Sequence, residues 1–247
     1  MRSYKKMMML RKLLAKQDFN PDFLGVFINP FYFARKNLYK QISRLSKEFN
    51  GKILDVGCGT KPYRELFNVD VYHGLEYSDS KSGISHKSQD FVYDGHAFPF
   101  QNETYDGIIS NEVLEHVFNP DEFLSEVSRV LKRNGKLLLT VPFVWDEHEQ
   151  PGDFARYTSF GIKYLLKKHG FKIIYFHKSA NNITIIFQLI NDYIYKIFIG
   201  KNRKHNRIII NSLTSIFNIL GLALSLILPK NNDLHLDNIL LAQKKST

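Results

Sequence analysis

The stretch KILDVGCGTKPYRELF, residues 52–67, limits the fold more than any other part of the chain. A short apolar run closes on Asp55, the backbone turns through Gly57 and Gly59, and a helix is expected to reopen beyond them. Parallel α/β sheets use this strand, glycine and helix sequence to bring backbone close to a nucleotide-like ligand. The spacing also excludes ligands. A dinucleotide loop wants a third glycine where this chain has Pro62, and the lysine and hydroxyl of a phosphate-loop NTPase are absent. An acid two residues before the first glycine suits a ligand with a cationic or amino-bearing end better than a pyrophosphate.

Downstream, short apolar runs alternate with helical segments. KILDV (52–56), VDVYHGLEY (69–77), DFVYD (90–94), YDGIIS (105–110), GKLLLTVPF (135–143), FKIIYF (171–176) and DNILLAQKK (237–245) read as strands. One helix carries clear signals: Asn119 as N-cap, Pro120 at the first position, Glu122 placed for a capping box, and Asn134-Gly135 as its stop. Thr158 caps another that runs through Tyr164, Leu165 and Leu166 to Gly170. This alternation predicts a parallel sheet with helices on both faces.

The rest of the chain breaks that rhythm. Residues 1–50 form a basic and aromatic helical lead-in, with Leu38, Ile42, Leu45 and Phe49 at helical spacing. Its first turns interleave Arg2, Lys5, Lys6, Arg11, Lys12 and Lys16 with Met7, Met8, Met9, Leu10, Leu13 and Leu14. That is a basic amphipathic helix; a solvated end and a membrane contact are both open readings. A secretory signal fits poorly, because Arg11 and Lys12 interrupt the apolar run. Residues 51–179 are the core, 180–235 a hydrophobic helical insertion, and 236–247 the last strand and tail. Within the insertion, residues 208–228 carry no charge, which is long enough to span a bilayer. Asn211, Ser212, Thr214, Ser215, Asn218 and Ser225 dilute the run, so helices packed on the domain or lying in a membrane interface are expected rather than a span.

The net charge of +10 asks for an anionic partner. Its basic groups lie beside greasy stretches such as Lys201, Arg203, Lys204 and Arg207 before residue 208, which favours a lipid surface over nucleic acid. The single cysteine, Cys58, cannot form an internal disulfide, so a reducing cytoplasmic setting is expected, at the inner face of a membrane.

Four ordered motifs, LDVGCGT, GLEYS, DGHAFPFQNETYDGIISNEVLEHV and RVLKRNGKLLLTVPF, resemble the class I S-adenosylmethionine-dependent methyltransferases, in particular the methyltransferase type 11 group. The resemblance spans roughly residues 50–178, and a strand near 238–243 completes it. It implies a Rossmann-like, doubly wound α/β sheet of seven strands, mostly parallel with the last antiparallel. It also implies S-adenosylmethionine as cofactor, with S-adenosylhomocysteine as product. Asp55, Gly57 and Gly59 would lie under the cofactor's amino acid part, and Glu76 would take the ribose hydroxyls. Asp94, Gly95 and His96 would line the adenine edge, and Asn111 would face the methionine portion. Many relatives have glycine where this chain has Lys61, which leaves the contacts of Lys61, Tyr63 and Arg64 open. Duller roles exist: Asp55 and Glu76 as strand-end acids capping amides, Asp94 and Asn111 as turn residues, Glu115 and His116 as the close of a helical turn.

A second constellation, PFVWDEHEQPGDFARYTSFG (142–161), follows the fifth strand and so hangs at the same sheet edge, where an acceptor must sit. Similar stretches occur in family members tied to bacterial cell-surface polysaccharide and glycolipid pathways. Methyl transfer from a sulfonium to a hydroxyl needs in-line placement and a base for the departing proton. His148 is the first candidate for that base, with Asp153 or Glu149 as orienter or alternative. The competing reading has these residues lock the loop through pairs such as Asp153 with Arg156. No metal is expected, since the histidines are scattered and lack ligand spacing. The expected activity is O-methylation of a small molecule, sugar or lipid-linked glycan. The alternatives are a nicotinamide-dependent oxidoreductase and a noncatalytic membrane-attached scaffold with a relic pocket.

Overall fold

The computed structural model describes Met8 and residues 13–78, 88–199 and 203–246. Most of the expected basic amphipathic helix (Arg2, Lys5, Lys6, Met7, Met9, Leu10, Arg11 and Lys12) therefore lies outside the described residues, as do Lys201 and the side chains of Arg203 and Lys204. The chain divides into two compact units: Gln41–Lys178 with Asp237–Thr247, and Met1–Lys40 with Ser179–Leu236. Residues 1–40 of the lead-in thus cluster with residues 179–236, while residues 41–50 cluster with the sheet.

The first unit is a seven-stranded sheet. Its strands are β1 (Lys52–Val56), β2 (Val71–Tyr77), β3 (Phe91–Tyr93), β4 (Tyr105–Asn111), β5 (Leu131–Pro142), β6 (Phe171–Lys178) and β7 (Asp237–Lys244). Their order is β3-β2-β1-β4-β5-β7-β6. The pairs within β1 to β5 are parallel, while β7 runs antiparallel between β5 and β6. Strand order reverses between β1 and β4, and ligands of open α/β sheets bind outside the carboxyl ends at such a point. The inserted antiparallel β7 departs from the dinucleotide-binding order, which counts against the oxidoreductase alternative. Leu54, Val56, Leu75, Ile108, Leu137, Leu139 and Leu240 are buried in the core, as expected for strands covered on both faces.

Two helices match their sequence signals, one of them only at its start. α4 (Pro120–Val130) begins as expected, with the Asn119 side chain accepting from the Glu122 amide at 3.3 Å. It stops at Val130, however, and residues 131–135 join β5 through an irregularity in its pairing with β4. The Asn134-Gly135 pair is a turn residue set inside the strand, with Asn134 at φ 60°, and not the helix stop. α5 (Ser159–Lys168) is capped by Thr158, whose hydroxyl accepts from the Gly161 amide at 3.0 Å, and Gly170 closes it at φ 82°. The helix expected after Gly59 shrinks to a single 3-10 turn, Arg64–Leu66. Lys61 sits at φ 55° ahead of Pro62, which breaks helical continuation at the point where it would start.

The second unit is helical: α1 (residues 13–19), α2 (Gly25–Ile28), the start of α3 (Tyr32–Leu45), α6 (Thr184–Phe198) and α7 (Arg203–Ser225). Gln188 Oε1 accepts from the Phe33 and Ala34 amides at 3.1 and 3.2 Å, satisfying the orphan donors that open α3. Asn218 donates to the Val26 carbonyl at 2.9 Å and accepts from Asn191 at 2.9 Å. Of the polar residues that dilute the uncharged run, Thr214 and Asn218 are buried, with Gln188, Asn191 and Thr184 of α6, while Asn211, Ser215 and Ser225 are half-buried and Ser212 is exposed. The apolar residues Ile186, Ile197, Ile208, Ile216, Ile219 and Leu222 are exposed. The buried side of this hairpin is thus mostly polar, with Ile185 and Ile210 beside the polar groups, and much of its exposed side is apolar.

Candidate functional site

At the carboxyl end of β1, Gly57 and Gly59 both take left-handed φ, 69° and 49°. A side chain at Gly57 would strike Val113 at 2.4 Å, whereas one at Gly59 would enter open space. The loop therefore turns tightly at the first glycine and leaves room over the second. Lys61 adopts a glycine-like φ of 55°, and its ammonium reaches Asp90 at 2.6 Å. Asp90 also accepts from the Gly74 amide at 2.7 Å, so the loop is tied to β2. Arg64 stacks over the Tyr72 ring at 4.9 Å.

Asp55 is buried, and burial, with the nearby Glu76 charge adding, pushes its carboxyl up to about 7 against the pull of the Tyr72 hydroxyl and Lys61. Glu76 ends β2, and its Oε2 accepts the Gly59 amide at 2.8 Å. This contact holds the carboxylate beside the glycine loop, and Oε1 accepts from the Tyr77 amide at 3.3 Å. Asp94 follows β3 as an exposed turn residue that accepts from the His96 amide at 3.1 Å, and Gly95 has φ 93°. Asn111 ends β4 with its Oδ1 buried and without a hydrogen-bond partner. An open cradle over Gly59, an orphaned amide oxygen at Asn111, a buried acid at Asp55 and a strand-end acid at Glu76 together fit an amino acid joined to a nucleoside. Asp55, Gly57, Gly59, Glu76, Asp94, Gly95 and Asn111 are thus gathered along one sheet edge. Tyr72, which sequence reasoning missed, is the direct partner of Asp55.

The loop after β5 folds onto the turn after β4. Phe154 and Ala155 amides donate to the Glu115 carbonyl at 2.8 and 3.2 Å, and His116 Nδ1 lies 2.8 Å from the Gly152 carbonyl. Asp153, almost fully buried, accepts both Arg156 nitrogens at 2.6 Å and the His148 amide at 2.9 Å. The Arg156 guanidinium holds the Asp153 carboxyl down to about 2. Asp153 is therefore a poor proton acceptor near neutral pH; its Oδ2, 3.3 Å from His148 Nδ1, makes it an orienter instead. The Asp146 carbonyl also faces Nδ1 at 3.2 Å, which leaves His148 Nε2 open. Glu149 is largely exposed and faces His116 Nε2 at 3.9 Å, not His148.

Glu115 and His116, read from sequence as the end of a turn, do form a 3-10 turn, Leu114–His116. They also do more. The His116 and His148 rings meet edge to face with centroids 4.8 Å apart, and Glu115 is fully buried beside them. Histidines that look scattered in the sequence are brought together by the adjacency of β4 and β5.

Residues 31–176 match the model of a family described as a methyltransferase domain. Over 152 residues the chain is 29% identical to an uncharacterized protein of Methanocaldococcus jannaschii, covering 56% of this chain and 73% of that protein. Over 127 residues it is 35% identical to the human mitochondrial ubiquinone biosynthesis O-methyltransferase, covering 44% of this chain but only 34% of that enzyme. The chain thus spans about a third of that relative's length. Phosphoethanolamine N-methyltransferase 2 of Haemonchus contortus, solved with S-adenosyl-L-methionine, shares the fold at a TM-score of 0.55 and 19% identity, over 90% of this chain and 55% of that one.

Proposed function

The chain belongs to the methyltransferase domain family, whose cofactor is S-adenosylmethionine, and from that premise we propose that it methylates a hydroxyl oxygen of a sugar or lipid-linked glycan at a membrane surface. When bound, the sulfonium supplies an electrophilic methyl group. Asp55 would meet the ammonium of the amino acid part, Glu76 the ribose hydroxyls, and Asn111 Oδ1 the methionine portion. The Asp94 and Gly95 turn would border the base.

The observation that carries the acceptor reading is the clamp of the 142–161 loop onto Leu114–His116, which sets an open imidazole nitrogen at the same sheet edge as the glycine loop. Arg156 and Asp153 fix the loop, and the departing proton is taken at the cluster that contains His148 Nε2. An oxygen acceptor needs this help, because a hydroxyl is a weak nucleophile until its proton is drawn away.

The membrane part rests on the inverted hairpin. In water a helix buries its apolar face; in lipid, polar side chains face the bundle interior. Gln188, Asn191, Thr214 and Asn218 follow the second rule, with Ile185 and Ile210 buried beside them. The stretch Asn206–Ser225 is long and apolar enough to cross a bilayer by length and composition, with 22% of its most apolar window buried. Lying in the interface of the inner membrane face, it would keep β7 on the same side as the rest of the sheet.

The test is incubation of the purified protein with methyl-labelled cofactor and a lysate separated into lipid, glycan, protein and nucleic acid fractions. Label in the lipid or glycan fraction supports the reading. Label confined to protein or nucleic acid overturns it.

A further inference from the structure

We propose that Glu115, His116 and His148 form a binding site for one divalent transition-metal cation such as zinc. One ligand atom from each of the three lies within 4.8 Å of the others. An ion bound at about 2.0–2.2 Å holds its ligands roughly 3–3.5 Å apart, a gap that side-chain rotation can close. Two imidazoles with a carboxylate are a donor set for borderline divalent ions, and leave positions for oxygen ligands.

Glu115 is the strongest sign. Its side chain is fully buried, yet neither carboxylate oxygen has a hydrogen-bond partner. The nearest cationic candidate, His116 Nε2, stands at 3.9 Å, too far for a hydrogen bond. Glu112 and Asp237 add like charge around Glu115, opposed by Arg156. A neutral acid would still leave a buried hydroxyl and carbonyl unmet, whereas a cation satisfies both oxygens and the surrounding acids.

Both imidazoles are already oriented as metal ligands are. The Gly152 carbonyl faces His116 Nδ1, and the Asp146 carbonyl with Asp153 Oδ2 faces His148 Nδ1. The carbonyl and carboxylate partners place the proton on Nδ1 and free Nε2 as the donor atom; Arg156 Nη2, which can only donate, stands farther from His148 Nδ1 at 3.5 Å. Arg156 fixes Asp153 in turn. Glu149, near His116, is placed to join as a fourth ligand. With an ion seated, His148 serves as a ligand and no longer as a free base, and a hydroxyl held on the ion loses its proton more readily. The site stands on side chains of the sheet unit alone, whatever the acceptor.

The test is a titration of chelator-stripped protein with zinc by calorimetry and with cobalt by visible absorption. The full-length chain should take up one equivalent, and X-ray absorption of the zinc form should show imidazole nitrogens and carboxylate oxygen. Glu115→Gln and His148→Ala should each weaken binding at least tenfold while retaining S-adenosylhomocysteine affinity, which reports an intact fold. His96→Ala, at an exposed histidine away from the cluster, should leave the affinity unchanged. Absence of stoichiometric uptake, a zinc spectrum without imidazole, or loss caused equally by His96→Ala would overturn the site, independently of which lysate fraction is methylated.

Discussion

The Tyr72 hydroxyl donates a 2.6 Å hydrogen bond to Oδ2 of Asp55, an acid that burial has pushed up to about 7. The folded protein therefore keeps a proton on Asp55 between roughly pH 4 and 7 that the unfolded chain releases. With more protons bound in the folded state, stability falls as pH rises through that window and levels off above it. The span is about three pH units, on the order of 4 kcal/mol. Asp55→Asn removes the charge and retains an acceptor for Tyr72. Without cofactor, the variant should melt several degrees above the parent at pH 8, with the gap narrowing as pH is lowered toward 4.5. A constant gap across that range would show that Asp55 does not titrate there.

The same acid links pH to cofactor binding. The ammonium of S-adenosylhomocysteine favours ionised Asp55, so affinity should climb as pH rises through about 7 and the climb should vanish in Asp55→Asn. Calorimetry at pH 6 and pH 8 reads this directly. Equal slopes in parent and variant would remove Asp55 from contact with the ammonium.

Glu76 has two tasks, which two variants separate. Its Oε2 holds the Gly59 amide, and its remaining capacity is assigned to the ribose hydroxyls. Glu76→Ala should weaken S-adenosylhomocysteine binding by about 2 kcal/mol, as expected for lost charge-assisted bonds. Glu76→Gln keeps the shape and one acceptor oxygen and should lose less. Unchanged affinity in a folded Glu76→Ala protein would place the ribose elsewhere.

The glycine loop was legible because its chemistry is local: Asp55, Gly57 and Gly59 lie within five residues, and strand order then carries Glu76, Asp94 and Asn111 to the same edge. What escaped was set by contacts distant in sequence. His116 and His148 share no spacing that signals a ligand pair; the loop after β5 must close on the turn after β4 to join them. The lost helix after Gly59 follows from Lys61 in a left-handed conformation, held by Asp90 on the far side of β2. The end of α4 moved because pairing of Leu131 with Tyr105 outcompeted a stop signal at Asn134-Gly135. The inward turn of Asn218 and Thr214 needed the partners Val26, Asn191 and Ile210 to be seen.

His148→Asn should lower turnover on the order of 10²-fold, and S-adenosylhomocysteine affinity should hold, since the residue lies on the acceptor loop and not on the glycine loop. Asp153→Asn should act through His148 and Arg156. It should reduce turnover less and also lower stability above pH 4, because an acid held at about 2 contributes stability that is present at neutral pH and fades as pH falls from about 4 to about 2. Full activity in His148→Asn would return the loop to a purely structural role.

The inverted hairpin predicts where the protein works. Ile208, Ile216, Ile219 and Leu222 of α7 and Ile186 and Ile197 of α6 are exposed, while Thr214, Asn218, Gln188 and Asn191 are buried. An apolar surface of this kind inserts into the acyl boundary, and the net charge of +10 adds attraction to anionic headgroups, two terms where one alone is marginal. The protein should therefore pellet with vesicles of anionic lipid, less with neutral ones, and leave the anionic vesicles in part at high salt, where exposed charge is screened. Ile208→Glu with Ile216→Glu should abolish pelleting while S-adenosylhomocysteine binding persists. If the parent stays monodisperse without detergent and ignores both vesicle types, the exposed faces cover one another between copies of the chain. Sedimentation would then give a dimer, and the membrane proposal would fall while the family assignment stands.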